Sequence, residues 1–492
     1  MKQVFNRMQL LEYWNNNACG GGEFLLEDEE INNLLRFHHD YPQIQQLASE
    51  NLQFFVTNFE IIAQWLTSIE FITTYKAKAH PYPPLLNPKQ VDYRQIPAEF
   101  AWRINLPLQE TYKFIWFHKG SSASVATMEF FEKCNVVIPN HGGDSFFAYK
   151  QMYELDDNQD KIAYIYPLDW KESHYKFAHL ITKKCPIFWI MRDPISVLKH
   201  ALNHIENYTA ESCILPIQKS FNLTTPYSFP MPFYYYCDMK HYPRVEFLEN
   251  VLNAPQNWGL KERLEKFKGQ ASEFVCIEFN AMSLENAFET FKKLSKKFDF
   301  APLKEQDRNF FSHRINKNNG ELLALPATLY ADSKDIENMF CATEPLKNIP
   351  NTDSIGSGIP IVISKLSLQE DKENYKDITR EMIGEIVELE SQFDDLLVLI
   401  ESENYIKLQK NKVLYNAVRK YLQGYVKALI RHAKDINSRL ISERDILDFL
   451  KTQPALRQRL AEKLDDELQF VKEHHKEYLK KWKYYQEFLK MM

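Results

Sequence analysis

Tyr112-Lys-Phe-Ile-Trp-Phe117 is a short apolar run, the pattern of a buried strand. His118-Lys-Gly-Ser-Ser-Ala-Ser124 follows, made of small and polar residues. Val125 to Cys134 then reads as a helix, with Ala126, Met128, Glu129 and Phe130 suited to it. The alternation continues. Asn135-Val-Val-Ile138, Lys161 to Tyr166, Pro186 to Met191 and Phe274 to Phe279 read as strands. Ser145 to Leu155, His174 to Lys184, Pro194 to Ile205 and Leu284 to Phe298 read as helices. Pro194 suits a first helical turn. Strands alternating with helices predict an α/β fold, a parallel sheet with helices on both faces.

The flanks carry a different pattern. Leu34, Leu35, Ile44, Leu47, Leu52, Phe55, Phe59, Ile62 and Trp65 recur at helical spacing, so residues 1–80 read as a helical region. His38 and His39 point to different faces of such a helix and read as a solvated pair, not a metal site. Prolines from His80-Pro-Tyr-Pro-Pro84 to Pro107 mark a linker over 81–107, with Phe100-Ala-Trp102 tucked back onto a core. The α/β domain then runs over 108–320. Residues 321–375 read as an irregular connection, with Ile355-Gly-Ser-Gly358 and Pro360 as a turn. Residues 376–492 read as a helical region. Its first stripe is Ile386, Leu389, Phe393, Leu396, Leu397 and Ile400, and a second block after Ser442 is broken near Pro454. Lys472 to Lys490 mixes lysines with Trp482, Tyr484, Tyr485 and Phe488. Glu473 and Glu477 interrupt its basic face, which favours packing over a membrane surface.

Composition narrows the class. A formal net charge of -6 over 492 residues is unlike a protein built to coat nucleic acid. The seven cysteines are widely spaced and form no Cys-x-x-Cys, which argues against a disulfide framework and a structural zinc. A cytoplasmic location is expected. The N-terminus has no apolar signal core, and no stretch approaches the ~20 apolar residues of a membrane span. Any membrane contact would be peripheral.

The strand, loop and helix around His118 to Ser124 gather backbone N–H groups at one point, which suits a phosphate. An ordinary strand-to-helix turn with a capping serine has the same pattern. Ligands of parallel sheets bind beyond the carboxyl ends of the strands, and both His118–Ser124 and Arg192 leave strands there. The two-glycine ATPase loop with Gly-Lys-Ser/Thr is absent.

Pro186-Ile-Phe-Trp-Ile-Met-Arg192-Asp193-Pro194, followed by a helix, resembles the second phosphate-binding element of P-loop sulfotransferases. In that family the arginine, and a serine eight residues on, hold the 3'-phosphate of 3'-phosphoadenosine 5'-phosphosulfate. Here the serine position falls on His200, with Ser196 as a less well-placed substitute. In the same register the family's first loop covers Gly120, Ser121, Ser122, Ala123 and Ser124. Ser124 takes the place of the phosphate-binding hydroxyl. The family's lysine falls on Ser121 and its glycine on Ala123, while Lys119 lies two residues early. Glu129 falls where heparan-type members keep their catalytic base, and it fits a solvent-facing helix position equally well. His118 is the reserve base. The family's Tyr-Glu-Asp-Leu reads Phe279-Asn280-Ala281-Met282 here. The resemblance covers roughly 108–320, where the insert Tyr208 to Tyr242 is expected to cover an acceptor cleft. Tyr82-Pro-Pro-Leu-Leu-Asn-Pro88 together with the Arg192 element also resembles an uncharacterised bacterial family, some of whose members carry a sugar-transferase label.

Three functions follow. The first is a sulfotransferase-like enzyme moving a sulfonate from that nucleotide donor to a hydroxyl of a glycan or small molecule, without a metal. The second is a sugar transferase of bacterial surface glycan assembly; the Asp-x-Asp of metal-dependent members is absent from the α/β block, and Asp156-Asp157 is a poor stand-in. The third is a non-catalytic nucleotide-binding protein, favoured by the degenerate loop.

Overall fold

The computed structural model describes residues 29–138, 145–155, 160–165, 172–205, 218–236, 242–254, 258–312, 315, 323–341, 356–365, 374–389, 393 and 395–492. The side chains of two strands set its layers. At β1 (Ile115–Phe117), Phe114 and Trp116 enter one core, while Ile115 and Phe117 enter another. In β5 (Cys185–Met191), Phe188 and Ile190 join the first core, and Ile187, Trp189 and Met191 the second. All of these side chains are buried. A strand apolar on both faces must be covered on both.

The sheet around them is parallel. β4 (Ala163–Ile165), β1, β5 and β7 (Ala271–Glu278) pair in that order. β2 (Val136–Val137) pairs in parallel with β3 (Asp160–Lys161), and only Ile162 separates β3 from β4. Ile162 N donates to Val137 O at 3.3 Å, and Lys113 N to Lys161 O at 2.8 Å. β3 and β4 therefore run on as one line between β2 and β1.

Helices cover both faces. Ser124–Lys133 and Ala287–Phe298 cover the first through Phe130, Phe131, Phe288, Phe291 and Phe298, with Phe114 stacked on Phe298 at 4.2 Å. The second face carries Pro194–Leu202, the N-terminal helices and the helices after Ser442. Trp482, Tyr485 and Phe488 are buried in that core, so the aromatic face of the last segment packs inward. Among the described residues no helix is long and apolar enough to cross a membrane.

A second sheet stands where the sequence suggested an irregular connection and then a helix. Its order is β10 (Tyr375–Asp377), β11 (Leu396–Glu401), β9 (Ile359–Lys365), β8 (Ala327–Ala331) and β6 (Ser220–Asn222). β6 and β8 are parallel and the other pairs antiparallel. The expected helical stripe from Ile386 to Ile400 is split. Its helix ends at Leu389, and its last part is β11. A short apolar run fits either period, and pairing with β9 decides it. Gly358 has φ +100°, and a Cβ there would lie 2.6 Å from Ala331 O, so the close approach of β9 to β8 requires glycine. Helices Thr379–Leu389 and Lys412–Ser438 complete this second core.

His38 corrects another expectation. His39 is exposed, but His38 is fully buried, edge-on to Phe37 at 4.9 Å and to Phe71 at 5.7 Å. Both lie in the turn that follows the helix Glu29–Phe37, which leaves one histidine in solvent and sends the other into the core. Burial, aided by the Lys76 charge, pushes the His38 pKa down to about 4. The fold holds it neutral, whereas the unfolded chain protonates it near 6.5. Its contribution is complete above pH 6.5 and is lost as pH falls towards 4, by about 3 kcal/mol in full. In denaturant titrations, wild type should therefore lose about 3 kcal/mol of stability relative to His38→Met as pH falls from 6.5 to 4. Parallel profiles would show that the fold admits the protonated ring.

Candidate functional site

β1 and β5 are neighbours, yet the helices that follow them pack on opposite faces. Their loops must therefore diverge at the carboxyl ends of the strands, the switch point of such sheets, where a ligand crevice is expected. The first loop turns sharply. Ser121 (φ 61°) and Ala123 (φ 60°) both hold left-handed backbone. Thr127 Oγ1 ties the helix start back to Ala123 O at 2.9 Å. Ala123 is the N-cap of Ser124–Lys133 and makes no side-chain cap, which leaves the first N–H groups of that helix without one.

Arg192 crosses the crevice. Its Nη1 donates to Ser121 O at 3.1 Å, and its guanidinium lies 4.0 Å from the centre of the Phe279 ring. Burial lowers its pKa to about 10, opposed by Glu443, Asp193 and Glu278, so it stays charged at neutral pH. Asp193 is buried next to it. Its Oδ1 accepts from Ile195 N at 3.0 Å and caps Pro194–Leu202. Its Oδ2 accepts from Tyr484 N at 2.9 Å and Tyr485 N at 3.2 Å. Burial raises its pKa, opposed by those N–H bonds.

The other proposed ligands meet carboxylates from the C-terminal helices. Lys119 forms a buried ion pair with Glu467. Glu467 also accepts from Gly259 N at 2.9 Å and Leu260 N at 3.0 Å. Ser196 Oγ donates to Glu443 at 2.8 Å, and Lys199 pairs with Glu443 at 2.8 Å. Burial pushes Glu443 up, but the bonds from Lys199 and Ser196 outweigh it and leave its pKa below the ordinary value.

The remaining residues are placed as follows. His118 is buried beside Trp116, and its carbonyl accepts from Arg263 Nη1 at 2.8 Å. Ser122 is buried over Gly120, its Oγ 3.4 Å from Gly120 O. Ser124 opens the loop helix and Glu129 lies half-buried one and a half turns along it. His200 is exposed in the last turn of Pro194–Leu202. The structure thus brings Ser121 and Arg192 together, and it commits Lys119 and Ser196 to Glu467 and Glu443. Of the insert Tyr208 to Tyr242, residues 208–217 and 237–241 lie outside the described residues. Of the described part, Phe221, Leu223, Tyr227 and Phe229 join the core of the second sheet, with Phe221 stacked on Tyr425 at 4.7 Å. Sequence reasoning missed Arg263, Glu443 and Glu467. Ser442 and Asp445 form a capping box that marks the start of a helix, but nothing local tells where Glu443 reaches. Among the described residues no three His, Cys, Asp or Glu side chains gather to hold a metal.

The loop geometry is open to test. Left-handed backbone costs an alanine roughly 1–2 kcal/mol, part of which glycine's greater freedom in the unfolded chain offsets. Ala123→Gly should therefore stabilise the protein by about 0.5–1 kcal/mol in equilibrium unfolding. A destabilised variant would show that Ala123 does not hold this conformation.

Residues 276–492, less than half of the chain, match a family described as "Protein of unknown function (DUF2972)". The match takes in the end of β7 from Cys276, most of the second sheet and the helices that carry Glu443 and Glu467, and excludes the His118 loop and Arg192. No curated protein and no solved structure matches the chain.

Proposed function

We propose that the crevice between β1 and β5 binds a 3'-phosphoadenosine nucleotide and that the protein is a P-loop sulfotransferase-like transferase. The observation that carries this reading is the Arg192–Ser121 contact across the switch point. It sets a guanidinium with unspent donors against a sharply turned loop that opens a helix. Arg192 would hold a phosphate of the donor, with Ser124 and the N–H groups of Gly120 to Ser124 around the other. Ser196 and His200 on the following helix are the secondary contacts.

The chemistry is a displacement at sulfur. A hydroxyl of a glycan or small molecule attacks the sulfonate, the bond from sulfur to the bridging phosphate oxygen breaks, and adenosine 3',5'-bisphosphate leaves. Arg192, the loop N–H groups and a released Lys119 would stabilise the leaving phosphate. Glu129 would take the hydroxyl proton, with His118 as the alternative base. No step uses a metal. The Lys119–Glu467 pair favours a second reading, a nucleotide-binding protein without turnover.

Calorimetry with adenosine 3',5'-bisphosphate, UDP-sugars and GDP-sugars separates the readings. The adenosine nucleotide should bind in preference, and Arg192→Ala should weaken it by about 1.5–3 kcal/mol, the worth of a charged hydrogen bond. Tight binding of a UDP-sugar alone would move the assignment to a sugar transferase.

Turnover tests the base. Glu129→Gln should keep nucleotide affinity and slow sulfonate transfer about 10²–10⁴-fold. The same loss in a His118 variant alone would move the role there. Nucleotide binding without transfer to any of a broad acceptor panel would leave the non-catalytic reading.

A further inference from the structure

We infer that the C-terminal helices act as a latch on this crevice: Glu467 occupies Lys119 and Glu443 occupies Ser196 and Lys199, where a bound phosphate would otherwise sit. The inference rests on the reading of the crevice as a phosphate site. Both carboxylates come from far along the chain, 348 residues after Lys119 and 247 after Ser196. Each meets a residue that stands on one of the two loops or helices leaving the switch point.

Charge is the first argument. Lys119, Arg192, Lys199 and Arg263 face Glu467, Glu443, Asp193 and Glu278. Four cations are met by four carboxylates, so the closed crevice carries no net charge to attract a dianion. Withdrawing Glu443 and Glu467 leaves four cations against two. The latch therefore sets the net charge of the crevice, and ligand affinity depends on its position.

Burial is the second. Lys119 and Glu467 are only 7% and 4% exposed. Removing one partner of such a pair and leaving the other charged and dry is costly. A phosphate that replaces Glu467 keeps the ammonium paired, while Glu467 moves towards water. Exchange of one anion for another is thus the inexpensive route to opening.

The third is how lightly the latch helix is held. Pro454–Glu467 has 14 residues but buries only Leu460, Leu464 and Glu467 itself. Its other ties are half-buried or at the surface: Leu456 and Ala461 against the core, Lys463 over the Trp258 ring at 5.5 Å, and the ion pairs of Lys261 with Asp466 at 2.9 Å and of Arg459 with Glu249 at 2.6 Å. Exposed pairs of this kind stabilise little. The segment after it is anchored much better. Asp193 accepts from Tyr484 and Tyr485, Trp482 Nε1 donates to Glu278 at 3.3 Å, and Trp482, Tyr485 and Phe488 are buried. A helix with few buried contacts between firmer neighbours is the kind of unit that opens locally.

The test uses the full chain. Glu467→Gln removes the charge and still accepts from Gly259 and Leu260. It should bind adenosine 3',5'-bisphosphate roughly 5–150-fold more tightly than wild type, the usual span of coupling between two sites. Glu462→Gln, which removes an exposed charge on the same helix whose partner, Gln458, lies on that helix too, should bind as wild type does. In the wild type, saturating nucleotide should speed amide hydrogen exchange in Pro454–Glu467 and leave Lys483–Leu489 unchanged, a result that needs no variant to fold. Equal affinity of wild type and Glu467→Gln, or nucleotide binding with unchanged exchange in that helix, overturns the latch and leaves the donor site standing. Inorganic pyrophosphate bound by Glu467→Gln but not by wild type, with no adenosine nucleotide bound by either, supports the latch and overturns the nucleotide reading. Failure of all three proteins to bind either probe overturns both.

Discussion

Neither face of β1 or β5 can meet water, and the rest of the molecule is arranged by that constraint. Phe114 and Trp116 demand cover on one side, Ile115 and Phe117 on the other. The loop after β1 sends its helix to the first face and the loop after β5 sends its helix to the second. The crevice between them follows from this division of labour. A polar loop at the carboxyl end of a sheet dry on both faces leaves backbone donors concentrated in one place.

The polar groups at that end are satisfied across long distances in sequence. Arg192 reaches the Ser121 carbonyl, Arg263 reaches the His118 carbonyl, and Glu467 serves Lys119 together with the Gly259 and Leu260 amides. Asp193 serves two helices at once, capping its own and accepting from Tyr484 and Tyr485. The carboxyl end of the sheet is thus built jointly by the α/β block and the C-terminal helices. Two carboxylates without those N–H and ammonium partners would be expensive to bury, so the C-terminal region completes the fold there as well as covering it.

What could be read from the sequence divides along the same physical line. Phe114 to Phe117 and Ile187 to Met191 declare buried strands because each is apolar on both faces, and Pro194 announces the helix that follows. Local pattern was enough for these. The second sheet was not legible. Leu396 to Ile400 is apolar at every position, so it satisfied a helical stripe as readily as a strand, and only its pairing with β9 decides. His38 was misjudged because adjacency says nothing about which of two faces meets a core. The candidate site divides similarly. Arg192 and the loop were visible as residues that leave strands. Glu443 and Glu467 were not, since a glutamate in a helix rich in charge carries no mark of the distant lysine it meets.

The loop's departures from the sulfotransferase pattern look different in this light. Ala123 stands where that pattern has glycine, yet its backbone holds the left-handed angle that glycine would take freely. The left-handed turn is held at a cost in strain, and something must hold it. Lys119 is pinned to Glu467 just before the turn, and Arg192 grips Ser121 within it. On the proposed reading, these contacts are the ones a phosphate would have to rearrange. Polar groups that are already satisfied would hold such a ligand more weakly, because binding energy is measured against the contacts already made.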